Sequence, residues 1–190
     1  LMVVLVILVA LAGLLVPLLG GAQADAAVTA TRTNLREVAD ALVRYRADNP
    51  EQRPADVRLA DLFRRRTTSP VPKDYDPFTR TGWNGPYLTG GGAVAPAGLP
   101  AAFADAVAAG EPCVFDGFVH DGGGRRPLAL VSATIGGNVY VWVQSAGPDG
   151  VLTRPGGLTG PPEPTPAGDR TRFPPAIEAD DLVFLVSQPR

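Results

Sequence analysis

The chain has 190 residues, a formal net charge of −2, one cysteine and one histidine. That charge gives no electrostatic reason to expect nucleic acid; a lone cysteine excludes an intramolecular disulfide or a cysteine-rich metal centre, and a lone histidine excludes a site built on several histidines. Its 22 glycines and 20 prolines predict many loops and few long elements.

Residues 1–19, LMVVLVILVALAGLLVPLL, carry no charged and no polar side chain. As a helix they would span about 28 Å, close to the ~30 Å hydrocarbon core of a bilayer. About fourteen are Leu, Ile or Val, with a summed insertion free energy on the order of −4 to −8 kcal/mol. No polar stripe marks the stretch as a globular core helix. After Gly20-Gly21 the pattern turns amphipathic: Val28, Thr31, Leu35, Val38, Leu42 and Tyr45 recur at threes and fours among charged residues. The spacing predicts one helix from residue 1 to about residue 48, bent or softened by Pro17 and the glycine pair. Asn49-Pro50 is expected to stop it, with Asn49 as a left-handed cap.

A short second helix is expected over 54–66, with Val57, Leu59, Leu62 and Phe63 on its apolar side. Arg64-Arg65-Arg66 suits the end of such a helix through its dipole, and an anionic ligand is the competing reading. Residues 69–88 are dense in turn formers and aromatics, with Phe78, Trp83 and Tyr87 expected to plug a small sheet. A Gly/Ala/Pro-rich stretch over 90–110 holds a candidate helix at 99–109; its Gly90-Gly91-Gly92 lacks the Gly-Lys-Ser/Thr of a phosphate loop. Strands are expected at 113–119, 127–135, 138–145 and 181–187, with a hairpin turn at Gly136-Gly137-Asn138. The fold class is therefore α+β: a long N-terminal helix, apolar in its first half, packed through its amphipathic second half on a small antiparallel sheet.

The apolar run with Pro17 resembles the N-terminal helix of type IV pilin-like proteins, in which a Gly-Phe-Thr-Leu-Ile-Glu segment precedes the run; Leu1 would follow that Glu. Asp76-Pro77-Phe78 and Gly82-Trp83-Asn84-Gly85-Pro86-Tyr87 resemble the Asp-Pro-Trp-Gly-Asn-Pro-Tyr segment of the major pseudopilin of type II secretion. Ser145-Ala146-Gly147-Pro148-Asp149-Gly150, with Asp180-Asp181 far downstream, resembles that family's calcium-binding loops. The resemblance implies a subunit whose residues 1–21 lie in the bilayer or filament core, through Leu1, Val4, Leu8, Leu11, Leu15 and Pro17. Residues 22–190 would form an extracytoplasmic head. The implied partners are other pseudopilin subunits, an inner-membrane assembly platform and the lipid bilayer. The implied place is the bacterial inner membrane, spanned once, with the head in the periplasm. The implied cofactor is calcium, held by Ser145, Asp149, Asp180 and Asp181. An insert at 151–177 adds Glu163 and Asp169 as candidates, and a plain turn at Asp149-Gly150 is the alternative. Two further readings of residues 1–24 stay open: a single-pass anchor for a binding domain, and a signal peptide cut after Ala22-Gln23-Ala24.

No enzyme is expected. Cys113 and His120 could form a nucleophile–base pair with Asp116 or Asp121 orienting the imidazole. However, Cys113 stands in an apolar, strand-like stretch and His120, before Gly122-Gly123-Gly124, is expected on a surface loop.

Overall fold

The structure, a computed structural model, describes residues 2–53, 56–68, 71–89, 93–97, 99–100, 103, 107–120, 124–135, 138–152 and 182–187; at 2–3, 5–22, 133–135, 138 and 182–187 it describes the backbone alone. Its class is α+β. Helix α1 runs as 47 residues, Met2–Asp48, unbroken through Pro17 and Gly20-Gly21, a length of about 70 Å. Thr31, Leu35, Val38, Leu42 and Tyr45 are each 0–3% exposed, widened by Ala39 and Ala41, while Arg32, Arg36, Glu37, Asp40 and Arg44 face out. The expected stripe is the observed one, with Val28 half-buried at its start.

α1 ends where expected, but by a different device. Among the described residues Arg80 is the only non-glycine with a positive φ, so Asn49 is not a left-handed cap. Instead Asn49 is buried, and both its backbone N–H and its side-chain amide donate to the Tyr45 carbonyl at 2.9 Å. The Asp48 carbonyl accepts the Gly82 N–H at 2.6 Å. Helix-end carbonyls are thus satisfied by side chain and distant backbone.

Two antiparallel sheets follow. Strands β1 (Ala93–Val94) and β2 (Pro112–Cys113) form a two-residue ladder. Strands β3 (Ala129–Ile135), β4 (Asn138–Ser145) and β5 (Leu182–Ser187) form a sheet in the order β3-β4-β5. Ile135 pairs with Asn138 on either side of the expected glycine turn, whose Gly136 and Gly137 lie outside the described residues. α1 lies against β4 and β5. The main core joins Leu35, Val38, Leu42 and Tyr45 of α1 to Leu59, Leu62, Leu128 and Val143. A smaller cluster of Phe103, Ala129, Ala146 and Leu152 closes the other side of the sheet. Each such side chain, fully buried, contributes about 1.5–3 kcal/mol.

Three expectations are corrected. Over 54–66 the described residues show 3-10 structure at Asp56 and over Leu59–Leu62, not an α-helix. Leu62 O accepts the N–H groups of Tyr87 and Leu88 (2.8 and 3.1 Å), and Asp61 O accepts Trp83 Nε1–H (3.0 Å). An α-helix would have needed those carbonyls for Arg66 and Arg65. Residues 113–119 are a strand at Cys113 alone, with an isolated antiparallel bridge from Phe115 to Pro127. Beyond it the Phe115 carbonyl accepts Asn34 Nδ2–H (3.0 Å), and Gly117 N–H donates to Thr31 Oγ1 (2.8 Å). Side chains of α1 thus take groups a ladder would use, and a Cβ at Gly117 would run into the Ala27 carbonyl. Finally, Phe78 plugs nothing: it is 96% exposed. Trp83 and Tyr87 pack edge-on (6.1 Å), and Tyr87 meets Tyr45 at 5.4 Å, all at the end of α1.

Among the described residues no helix is long and apolar enough to cross a membrane. Leu1 and the side chains of Leu8, Leu11, Leu15 and Pro17 lie outside the described residues; Val4 is exposed. Most of the candidate helix at 99–109 lies outside as well.

Candidate functional site

The chain concentrates buried polar chemistry where β4 leaves the sheet. β4 is buried from Tyr140 onward, and burial continues through Ser145, Ala146 and Gly147 into a turn with positive φ at Gly147 and Gly150. Against it lies the segment bearing Asp116 and His120, held by Asp116 N–H to Arg126 O and His120 N–H to Gly124 O, each 2.9 Å. His120 is 8% exposed, which corrects its expected place on the surface. Gly150 lies so close to the imidazole that a Cβ there would sit 2.7 Å from Nδ1.

Ser145 donates its hydroxyl to Asp116 Oδ2 at 3.2 Å and accepts the Gly147 N–H at 3.2 Å. His120 Nε2 stands 3.5 Å from the same Oδ2, without hydrogen-bond alignment. Asp116 Oδ1 and both imidazole nitrogens are buried without a hydrogen-bond partner among the described residues. Burial pushes the Asp116 carboxyl above the ordinary carboxylate range, against the opposing pull of His120, Ser145 and the Arg126 backbone. The order is serine, carboxylate, imidazole. In that order the hydroxyl proton faces a carboxylate, whereas serine activation needs the imidazole between the two.

The nucleophile–base pair weighed against in the sequence, Cys113 with His120, has these surroundings. Of the carboxylates considered, Asp116 does face His120, and Asp121 lies outside the described residues. Cys113 is buried and directs its Sγ to the Ala93 carbonyl at 3.3 Å. Burial pushes its thiol up to about 11, away from the thiolate a nucleophile requires.

Of the expected calcium ligands, Ser145 and Asp149 are described. Asp149 is exposed, and its Oδ1 accepts the Val151 N–H at 2.8 Å, the bond of an Asx turn. Ser145 is fully buried and engaged with Asp116. The structure does not bring Ser145 and Asp149 into one polar contact, and Asp180, Asp181, Glu163 and Asp169 lie outside the described residues. Among the described residues no group of three or more His, Cys, Asp or Glu side chains could hold a metal ion. Sequence reasoning paired Asp116 with His120 but missed the burial of both. The signal for it was the apolar company of the pair: Phe115 precedes Asp116, and Phe118 and Val119 stand between Asp116 and His120.

Comparison of the chain with protein families, with characterised proteins and with solved structures found no significant match.

Proposed function

We propose that the chain is a structural subunit of a type II secretion-like pseudopilus. Its function is mechanical: apolar helix halves pack side by side in the fibre, and the heads coat the outside. Before assembly the same half holds the subunit in the inner membrane, delivered to the fibre by an assembly platform. One observation carries the reading. A single helix, Met2–Asp48, passes from a uniformly apolar sequence into a buried stripe docked on an antiparallel sheet. A secreted domain has no use for continuity across that junction, since its apolar part is removed. In this reading the polar cluster at Asp116 is structural.

The mature N-terminus in the native host tests the proposal by mass spectrometry. A methylated residue a few positions upstream of Leu1 is the expected result. A start at Asp25 overturns it in favour of a cleaved signal peptide; an uncut leader overturns it in favour of a plain anchor.

The calcium part of the proposal rests on the resemblance and on Asp149, whose exposed carboxylate suits a hard cation that gathers six to eight oxygens. Ser145 would offer its hydroxyl only by releasing Asp116. Its test is a melting temperature raised by millimolar calcium and restored by a chelator; no shift removes calcium from the proposal.

A further inference from the structure

A cleft of about 260 Å³ opens beside the 3-10 turn, and four of its lining residues are arginines: Arg58, Arg64, Arg65 and Arg66. Two of them are engaged in the fold. Arg66 pairs with buried Asp61 and donates to the Asp56 carbonyl at 2.7 Å; Arg65 donates to the Pro72 carbonyl at 2.8 and 3.1 Å and pairs with Asp74. Arg58 and Arg64 are exposed, and their guanidinium groups make no hydrogen bond or ion pair within the described residues. Thr67 and Thr68 add hydroxyl donors at the rim. The lining carboxylates are Asp61, neutralised by Arg66, and Glu111. In a chain of net charge −2 this is a local excess of positive charge.

We propose that this cleft binds a small, soluble, phosphate-bearing anion through Arg58 and Arg64. Guanidinium forks match oxyanions in a planar, bidentate way and are weakly hydrated, so they bind such groups at modest desolvation cost. A water molecule's share of liquid is about 30 Å³, so the cleft exceeds what one oxyanion group needs. A diphosphate or a phosphorylated small molecule suits it better. The fixed neighbours Arg65 and Arg66 pre-organise the wall, which lowers the ordering cost of binding. Phosphate chemistry also exists in lipid headgroups. The cleft, however, lies beside the last turns of α1, where Leu59 and Leu62 pack on Leu42 and Tyr45, about 36 Å along the helix from Gly21. With residues 1–21 in a bilayer, as in the reading above, it stands several Debye lengths from the headgroups.

Titration calorimetry of the full chain in neutral detergent, with pyrophosphate as the probe, tests this. Saturable binding that weakens with added salt is expected, with the Arg58→Gln/Arg64→Gln variant about tenfold or more weaker and its melting temperature unchanged without ligand. No heat at 10 mM pyrophosphate (on the order of the weakest useful affinity), or equal affinity in the variant, overturns the site. A second arm distinguishes the sources and rests on the anchored reading. In phosphatidylcholine vesicles and in vesicles containing phosphatidylglycerol the pyrophosphate affinity should be equal. Competition by phosphatidylglycerol that Arg58→Gln/Arg64→Gln abolishes overturns the soluble source and assigns a headgroup.

Discussion

At the C-terminal end of α1, three aromatic side chains bring polar atoms into the protein and each finds a partner. Tyr45 donates to Gln52 Oε1 at 2.6 Å, Trp83 to the Asp61 carbonyl, and Tyr87 to Asp48 Oδ2 at 2.9 Å while accepting the Asn84 N–H at 3.0 Å. At the exit of β4, Asp116 and His120 are buried too, yet Asp116 Oδ1 and both imidazole nitrogens lack a hydrogen bond among the described residues. Burial shifts proton affinity at both ends: it pushes the Tyr87 phenol up to about 12 and the Asp116 carboxyl above its usual range. For a phenol that preserves the neutral donor the fold uses at neutral pH. For a carboxylate it opposes the charged form. The same desolvation therefore supports one end of the head and taxes the other.

Tyr45 is 0% exposed and joins the core to the aromatic end, so its loss should have the largest effect. Tyr45→Ala should lower the unfolding free energy by about 3–5 kcal/mol, the range for a large aromatic truncated in a core. Urea denaturation of the full chain in detergent measures it. Tyr87→Phe keeps the ring and removes one oxygen, leaving Asp48 and Asn84 without that partner. A loss of about 1–2 kcal/mol is expected, and no loss would mean that water replaces the hydroxyl freely.

Asp116→Asn sharpens the contrast because it should act in the other direction. The folded chain holds the Asp116 proton to a higher pH than the unfolded chain does. The folded state therefore binds more protons, and stability from this group is full below the ordinary carboxylate range and falls as pH rises through the raised value. At pH 7 the neutral amide should be more stable than wild type by a few tenths to about 1 kcal/mol, with the gain disappearing towards pH 4. Denaturation midpoints at the two pH values decide it; a variant less stable at pH 7 would show that the His120–Asp116 attraction outweighs burial.

Much of this architecture was legible in sequence because it is local. The alternating threes and fours from Val28 to Tyr45 require only helix periodicity, and the β3–β4 hairpin requires only alternation around a glycine turn. Two of the failures share one cause, which is long-range competition for backbone groups. Nothing near Leu62 announces that Tyr87 and Leu88 will take its carbonyl. Nor does anything near Phe115 and Gly117 show that Asn34 and Thr31 will take theirs. Phe78 failed differently. Asp76 accepts the Phe78 N–H (2.9 Å) and the Thr79 hydroxyl (3.0 Å), and this local turn aims the ring outward against its hydrophobicity. At the candidate site, the close pair Asp116 and His120 was visible, but their burial depends on β4 covering them.

The unbroken helix has a mechanical consequence. From Gly21 to Asp48 it forms a lever arm of about 40 Å, clamped to the head along its far half. A 5° change of direction at Gly20-Gly21 would sweep the Asp48 end through roughly 3.5 Å, close to the diameter of a water molecule. Small angular adjustments at that glycine pair therefore carry the whole head, aromatic end included, through about a contact distance relative to the first half of the helix.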